Sequence, residues 1–152
     1  MKWYAGSDHA GLRLKDRLVG LLRDLGDEVV DLGTHTEESV DYPDFALQVA
    51  QGVSNAEVER GILVCGTGIG MAITANKVRG IRAATCHNPR TARMAAEHND
   101  ANILCVGARV VEANVAIEIV KEWLKHEYLG GRHQRRLDKI AEMERTQIGA
   151  TD

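Results

Sequence analysis

An α/β fold is what this sequence predicts: a five-stranded parallel sheet with helices on both faces and an extra C-terminal helix. Two observations carry the prediction. Short apolar runs of strand length alternate five times with stretches whose apolar residues recur at helical spacing, and parallel strands need such crossovers, which are almost always right-handed. The central run, Ile62-Leu63-Val64, is continuously apolar, as a strand buried on both faces must be.

The first strand candidate is Trp3-Tyr4-Ala5-Gly6-Ser7, followed by the polar turn Asp8-His9-Ala10-Gly11. Leu14, Leu18, Leu21, Leu22 and Leu25 then mark one face of a helix that Gly26 closes. Glu28 to Leu32, with Val29 and Val30 at its centre, reads as a second strand, and Gly33 to Val40 as a polar loop that leads to Tyr42. Pro43 suits the first turn of a helix whose buried stripe is Phe45, Ala46, Val49, Ala50 and Val53. The central strand stops at Cys65, where Gly66, Gly68 and Gly70 alternate, and helix follows beyond Gly70.

Ile81 to Cys86 is the fourth strand candidate, stopped by His87-Asn88-Pro89. Asn88 can cap a helix that carries Pro89 in its first turn and runs to about His98. Asn102 to Val106, ended by Gly107, is the fifth strand. Ala113, Ala116, Ile117, Val120 and Leu124 keep helical spacing up to Gly130-Gly131, and a last helix runs from about Arg132 to Arg145 ahead of a short polar tail. The result is a Rossmann-like three-layer sandwich, in which ligands bind outside the carboxyl ends of the strands near the point where strand order reverses.

At 152 residues and 44% hydrophobic content, the expectation is one domain over residues 1–152. The formal net charge of -3 excludes a general nucleic-acid binder, which needs a basic surface to displace counterions. Three cysteines without a pairing pattern, no signal-peptide core and no apolar run near 18 residues point to a reducing compartment, so a soluble cytoplasmic protein with no membrane contact is expected.

The candidate chemistry gathers after strands. A strand that ends in a glycine loop and opens a helix turns backbone N–H groups toward one point, where the helix dipole also favours negative charge. Gly66, Gly68 and Gly70 give G-x-G-x-G, which lacks the third-glycine spacing of a dinucleotide fingerprint, and Met71-Ala72 stands where a Walker A loop needs Lys-Ser/Thr. The loop therefore reads as an anion site with a thiol, Cys65, at its edge. Beside a helix N-terminus a thiol ionises more readily and becomes available as base or nucleophile, whereas Cys86 and Cys105 read as buried hydrophobes. Asp8 and His9 follow strand one, and Asp8 competes as a helix N-cap. Arg109 follows strand five, while His98-Asn99 sits at the far end of a helix. These polar residues are expected to meet at one edge of the sheet. Arg132 and Arg136, four apart, share a helix face suited to phosphate, with Leu137, Ile140 and Ala141 as a neighbouring apolar stripe. No H-x-x-x-H motif or carboxylate cluster suggests a metal.

Read in order, G-S-D-H-A-G at Gly6, D-Y-P at Asp41, C-G-T-G-I-G at Cys65, A-N-K at Ala75, H-N-D at His98, G-A-R at Gly107 and G-G-R-H-Q-x-R at Gly130 resemble the type B ribose-5-phosphate isomerases. Their group includes the galactose-6-phosphate and allose-6-phosphate isomerases. The resemblance implies aldose-ketose isomerisation of a sugar phosphate through a cis-enediolate, without metal or organic cofactor. It implies Cys65 as the base between C2 and C1 with Thr67 supporting it, and His98 with Asp8 opening the sugar ring. It further implies oxyanion binding by the amides from Gly66 through Thr67, Gly68 and Ile69 to Gly70, and contacts from Tyr42 and Asn99. The phosphate would be held by His9, Arg109, Arg132 and Arg136, in sites built from two chains of a homodimer or tetramer. Relatives without the cysteine use a glutamate just after the loop, where this chain has Met71, leaving Cys65 as the loop's base. A six-carbon sugar phosphate as substrate, and a non-catalytic sugar-phosphate sensor, stay open as alternatives.

Overall fold

The structure, a computed structural model, describes residues 1–149. In chain order the elements are β1 (Lys2–Ser7), α1 (Leu12–Asp24), β2 (Glu28–Asp31), α2 (Tyr42–Ser54), β3 (Arg60–Cys65), α3 (Ile69–Ala75), β4 (Ala83–Thr85), α4 (Pro89–Asn99), β5 (Ile103–Gly107), α5 (Ala113–Lys125) and α6 (Arg132–Gly149). The strands form one sheet in the order β2-β1-β3-β5-β4, every pair parallel. The predicted strand–helix alternation is present, and the order reverses between β1 and β3.

Each face of the sheet has its own core because side chains alternate along a strand. Trp3, Ala5, Ile62, Val64, Leu104 and Val106 pack under α1, α4 and α5. Leu63, Cys65, Ile103 and Cys105 pack under α2 and α3. Trp3 and Trp123 are fully buried and meet edge to face at 5.6 Å. Each ring removes roughly 150–250 Å² from water, which at about 25 cal/mol per Å² is on the order of 5 kcal/mol. No described helix is long and apolar enough to cross a membrane.

Several boundaries differ from the sequence expectation. The fourth strand begins only at Ala83 because amides around its start bond to side chains, Arg82 N–H to Asn102 Oδ1 and Ala83 N–H to Asn76 Oδ1, and it ends at Thr85. Leu25 lies past the last turn of α1 and is exposed, while Lys15 takes a place in the buried stripe with Nζ 2.6 Å from Asp31 Oδ2. Tyr42 begins α2 instead of ending the loop. In α5 the deeply buried residues include Ile119 and Trp123, which the periodicity did not single out. That helix stops at Lys125, five residues before Gly130. The last helix continues past Arg145 to Gly149, since no residue before that glycine interrupts the i to i−4 pattern, and the rest of the expected polar tail lies outside the described residues.

Candidate active site

The ends of β1 and β3 flank the reversal of strand order, where open parallel sheets leave a crevice. Ser7 stands opposite Val64 in the register, so the next residue, Asp8, is level with Cys65. The N–H of Asp8 donates to Val64 O at 3.2 Å and fixes that alignment. The end of β1 is also tied to the end of β2, because Ser7 N–H donates to Gly33 O at 2.7 Å and Thr34 N–H to Ser7 O at 2.9 Å.

From Cys65 the backbone turns sharply through Gly68, whose φ of +78° falls in the left-handed region that favours glycine. The turn returns the Gly68 N–H to the sulfur, 3.1 Å from Cys65 Sγ, so negative charge on sulfur has a donor in place. Thr85 Oγ1 donates to Gly68 O at 3.2 Å and braces the loop from β4. Gly107 braces it from β5: a Cβ there would stand 2.6 Å from the backbone C and O of Thr67. The Thr67 hydroxyl accepts the Ile69 N–H at 3.2 Å, so this side chain shapes the exposed rim of the loop and makes no bond to Cys65. The amides of Gly66, Thr67 and Gly70 have no acceptor among the described residues. They are a concentrated set of donors, ahead of a helix of only seven residues.

A cleft of about 370 Å³ opens here, lined by Asp8, Tyr42, Cys65, Gly66, Thr67, Ile69, Gly70 and Ile73. Asp8 is buried, and its Oδ1 accepts the Gly11 N–H at 3.0 Å. The N-cap of α1 is Gly11, so Asp8 closes the preceding turn and faces the cleft at once. His9 accepts the Val40 N–H on Nδ1 at 3.2 Å, which fixes its ring and leaves Nε2 without a partner among the described residues. The ring of Tyr42 lies over Gly70. Arg109 donates its backbone N–H to Gly66 O at 2.9 Å and lays its guanidinium against that glycine.

His98, Asn99, Arg132 and Arg136 do not join this cleft in the same chain, which for His98 and Asn99 corrects the expectation of one meeting edge. The reason is topological: α4 runs back against the strands, so its last residues lie at their amino ends, beside Ala101 and Arg82. The length of β5 separates the two places, about 15 Å at 3.3 Å per residue. There His98, Asn99, Arg132, His133 and Arg136 surround a second cleft of about 340 Å³. His98 and His133 stack at 4.3 Å with planes 15° apart. Burial pushes His133 below the usual imidazole range, and His98, Arg132 and Arg136 push the same way. His133 was not singled out from the sequence; its place between two arginines in G-G-R-H-Q-x-R was the available signal. Arg136 folds back to donate to Arg132 O at 3.0 Å. Beyond them Leu137 and Ile140 line an apolar groove with Met143, while Ala141 is exposed.

The other thiols are shut away from either cleft. Burial pushes Cys86 up to about 11 and Cys105 well above the ordinary thiol range. Among the described residues no group of three His, Cys, Asp or Glu side chains is placed to hold a metal ion.

The model of a protein family described as ribose/galactose isomerase matches residues 4–140. The ribose-5-phosphate isomerase B of Escherichia coli is 48% identical over 139 residues, 91% of this chain and 93% of its own. A solved structure of the Clostridium thermocellum ribose-5-phosphate isomerase B superposes with a TM-score of 0.95 at 55% identity, covering 97% of this chain and 99% of that one. The Mycoplasma genitalium ribose-5-phosphate isomerase B, solved with ribulose-5-phosphate bound, gives a TM-score of 0.91 at 44% identity, covering 95% and 96%.

Proposed function

The chain belongs to the ribose/galactose isomerase family, and we propose that it interconverts D-ribose 5-phosphate and D-ribulose 5-phosphate through a cis-enediolate. The observation that carries this reading is the pairing of Cys65 Sγ with the Gly68 N–H, in a cleft where the amides of Gly66, Thr67 and Gly70 have no acceptor among the described residues and could bind an oxyanion.

In the open-chain aldose, the Cys65 thiolate removes the C2 proton. The C2–H electrons form the C1–C2 double bond, and the carbonyl electrons move onto O1 as an oxyanion. The protonated thiol then returns its proton to C1 as the O2 proton passes to O1 and the C2 carbonyl forms, which regenerates the thiolate and requires no redox partner. Charge development on oxygen is the costly part. A preorganised amide donor lowers such a barrier by about 3 kcal/mol, and a positioned acid or base contributes roughly 10²- to 10⁴-fold. In this reading Asp8, which lines the same cleft level with Cys65, exchanges a proton with the sugar oxygens.

The remaining groups stand at the other end of the sheet, and a two-fold homodimer supplies them from a partner chain. In that arrangement His98 assists ring opening, Asn99 holds enediolate oxygens, and Arg132 and Arg136 join His9 and Arg109 around the phosphate. A planar guanidinium matches phosphate in a bidentate manner, and four cationic or donor groups fix one end of a flexible substrate. The separation of two complementary half-sites within one chain supports this reading. Two-fold symmetry then makes two equivalent composite sites.

Steady-state kinetics with ribose 5-phosphate, allose 6-phosphate and galactose 6-phosphate test the assignment. A higher kcat/KM for the pentose phosphate is expected. A higher value for either hexose phosphate overturns the choice of substrate, and binding without turnover of any of the three makes the protein a sensor.

A further inference from the structure

The connection between α5 and α6 decides where the α6 arginines stand, yet its apolar residue Leu129 is exposed. Its hold on the fold passes through one residue of α4. The backbone N–H of Leu129 donates to Glu97 O at 3.0 Å. The His126 ring bridges two carboxylates, Nδ1 lying 2.8 Å from Glu97 Oε1 and Nε2 2.9 Å from Glu122 Oε1. Arg93 Nε donates to the same Glu97 oxygen at 3.0 Å. Glu97 is buried at the end of α4, immediately before His98 and Asn99.

We propose that Glu97 is a positioning residue, which sets the spacing between His98-Asn99 and the α6 residues Arg132, His133 and Arg136. It does so by holding the 126–129 connection at two points, through its carboxylate and through its backbone carbonyl. Downstream of these anchors only Gly130 and Gly131, both with positive φ, intervene before α6 begins. On the α6 side the His98–His133 stack completes the frame. Burial alone would push the Glu97 carboxyl up, but Arg93 and His126 outweigh it and hold it below the ordinary carboxylate range. Near neutral pH Glu97 Oε1 is thus an acceptor for both Arg93 and His126.

The inference rests on the reading of Arg132 and Arg136 as phosphate ligands, and the experiment separates the two. Three variants, Glu97→Ala, Glu97→Gln and His126→Ala, are compared with Arg136→Ala by KM for ribose 5-phosphate and by Ki for inorganic phosphate as a competitive inhibitor. Loss of folded enzyme lowers maximal velocity and leaves both constants alone, so a shift in them reports position. Glu97→Ala and His126→Ala are expected to raise KM and phosphate Ki by at least about tenfold, the scale on which misplaced binding groups act. Glu97→Gln keeps an acceptor oxygen for Arg93 and His126 and should recover most of the loss. If Glu97→Ala does not fold, His126→Ala decides on the same constants. Arg136→Ala shifted with the alanine variants at wild-type constants overturns the positioning role alone. Arg136→Ala unshifted overturns the phosphate reading and this inference with it.

Discussion

At the scale of single residues the proposed chemistry turns on Cys65, the thiol of the three that lines the cleft beside the glycine loop. Cys65→Ala should lower kcat by at least about 10²-fold with little change in ligand affinity, because a proton-transfer group acts in the transition state. Cys65→Ser should be almost as impaired, since a hydroxyl is far harder to ionise. Near wild-type turnover in either variant would remove the sulfur from the mechanism. A chemical probe gives an independent check. With Cys86 raised to about 11 and Cys105 also pushed well above the ordinary thiol range by burial, these thiols carry their protons at pH 8. Iodoacetamide at pH 8 should therefore modify Cys65 and abolish activity while sparing the other two, as peptide mapping would read. Equal labelling of Cys86 and Cys65 in native protein would contradict this. Cys65 was legible in the sequence because a thiol at a glycine loop is chemically unusual. The place of Asp8 was not, because capping and catalysis use the same residue type at the same kind of position, and only the register with β3 sets this residue level with Cys65 at the cleft.

At the scale of elements the glycine loop depends on its neighbours as much as on its own glycines. Gly107 belongs to β5, and a Cβ there meets the Thr67 backbone, which cannot rotate away as a side chain would. Gly107→Ala should shift the loop and lower kcat by about 10- to 100-fold, because catalysis tolerates little displacement of the donors. Kinetics with the melting temperature measured in parallel would show it; unchanged kcat would mean that the loop is not held from β5. Element type and order were readable because apolar periodicity distinguishes strand from helix. Boundaries were less so. The late start of β4 follows from Asn76 and Asn102 side chains taking backbone partners, a contact between residues distant in sequence. The buried Lys15 in α1 breaks the apolar pattern for the same kind of reason, since its partner Asp31 lies on another element.

At the scale of the whole molecule the division of the site predicts complementation between inactive variants. If each site takes Cys65 from one chain and Arg136 from its partner, mixing Cys65→Ala with Arg136→Ala under subunit exchange rebuilds one intact site per mixed dimer. Random pairing of equal amounts makes about half of the dimers mixed, so activity should approach roughly a quarter of the wild-type sites. Confirmed exchange without recovery would mean that the arginine serves its own chain.

By itself the sequence determined the alternating α/β pattern, the parallel sheet, the glycine loop with its thiol and a set of candidate polar residues. These are local properties, written in spacing and residue type within a few turns of chain. Tertiary structure alone decided which of those residues share a space. Strand register set Asp8 against Cys65, and the antiparallel return of α4 carried His98 and Asn99 to the opposite edge of the sheet. It also brought Glu97 against His126. Such proximities depend on strand order and crossover geometry, which join residues far apart along the chain and leave no periodic trace in it.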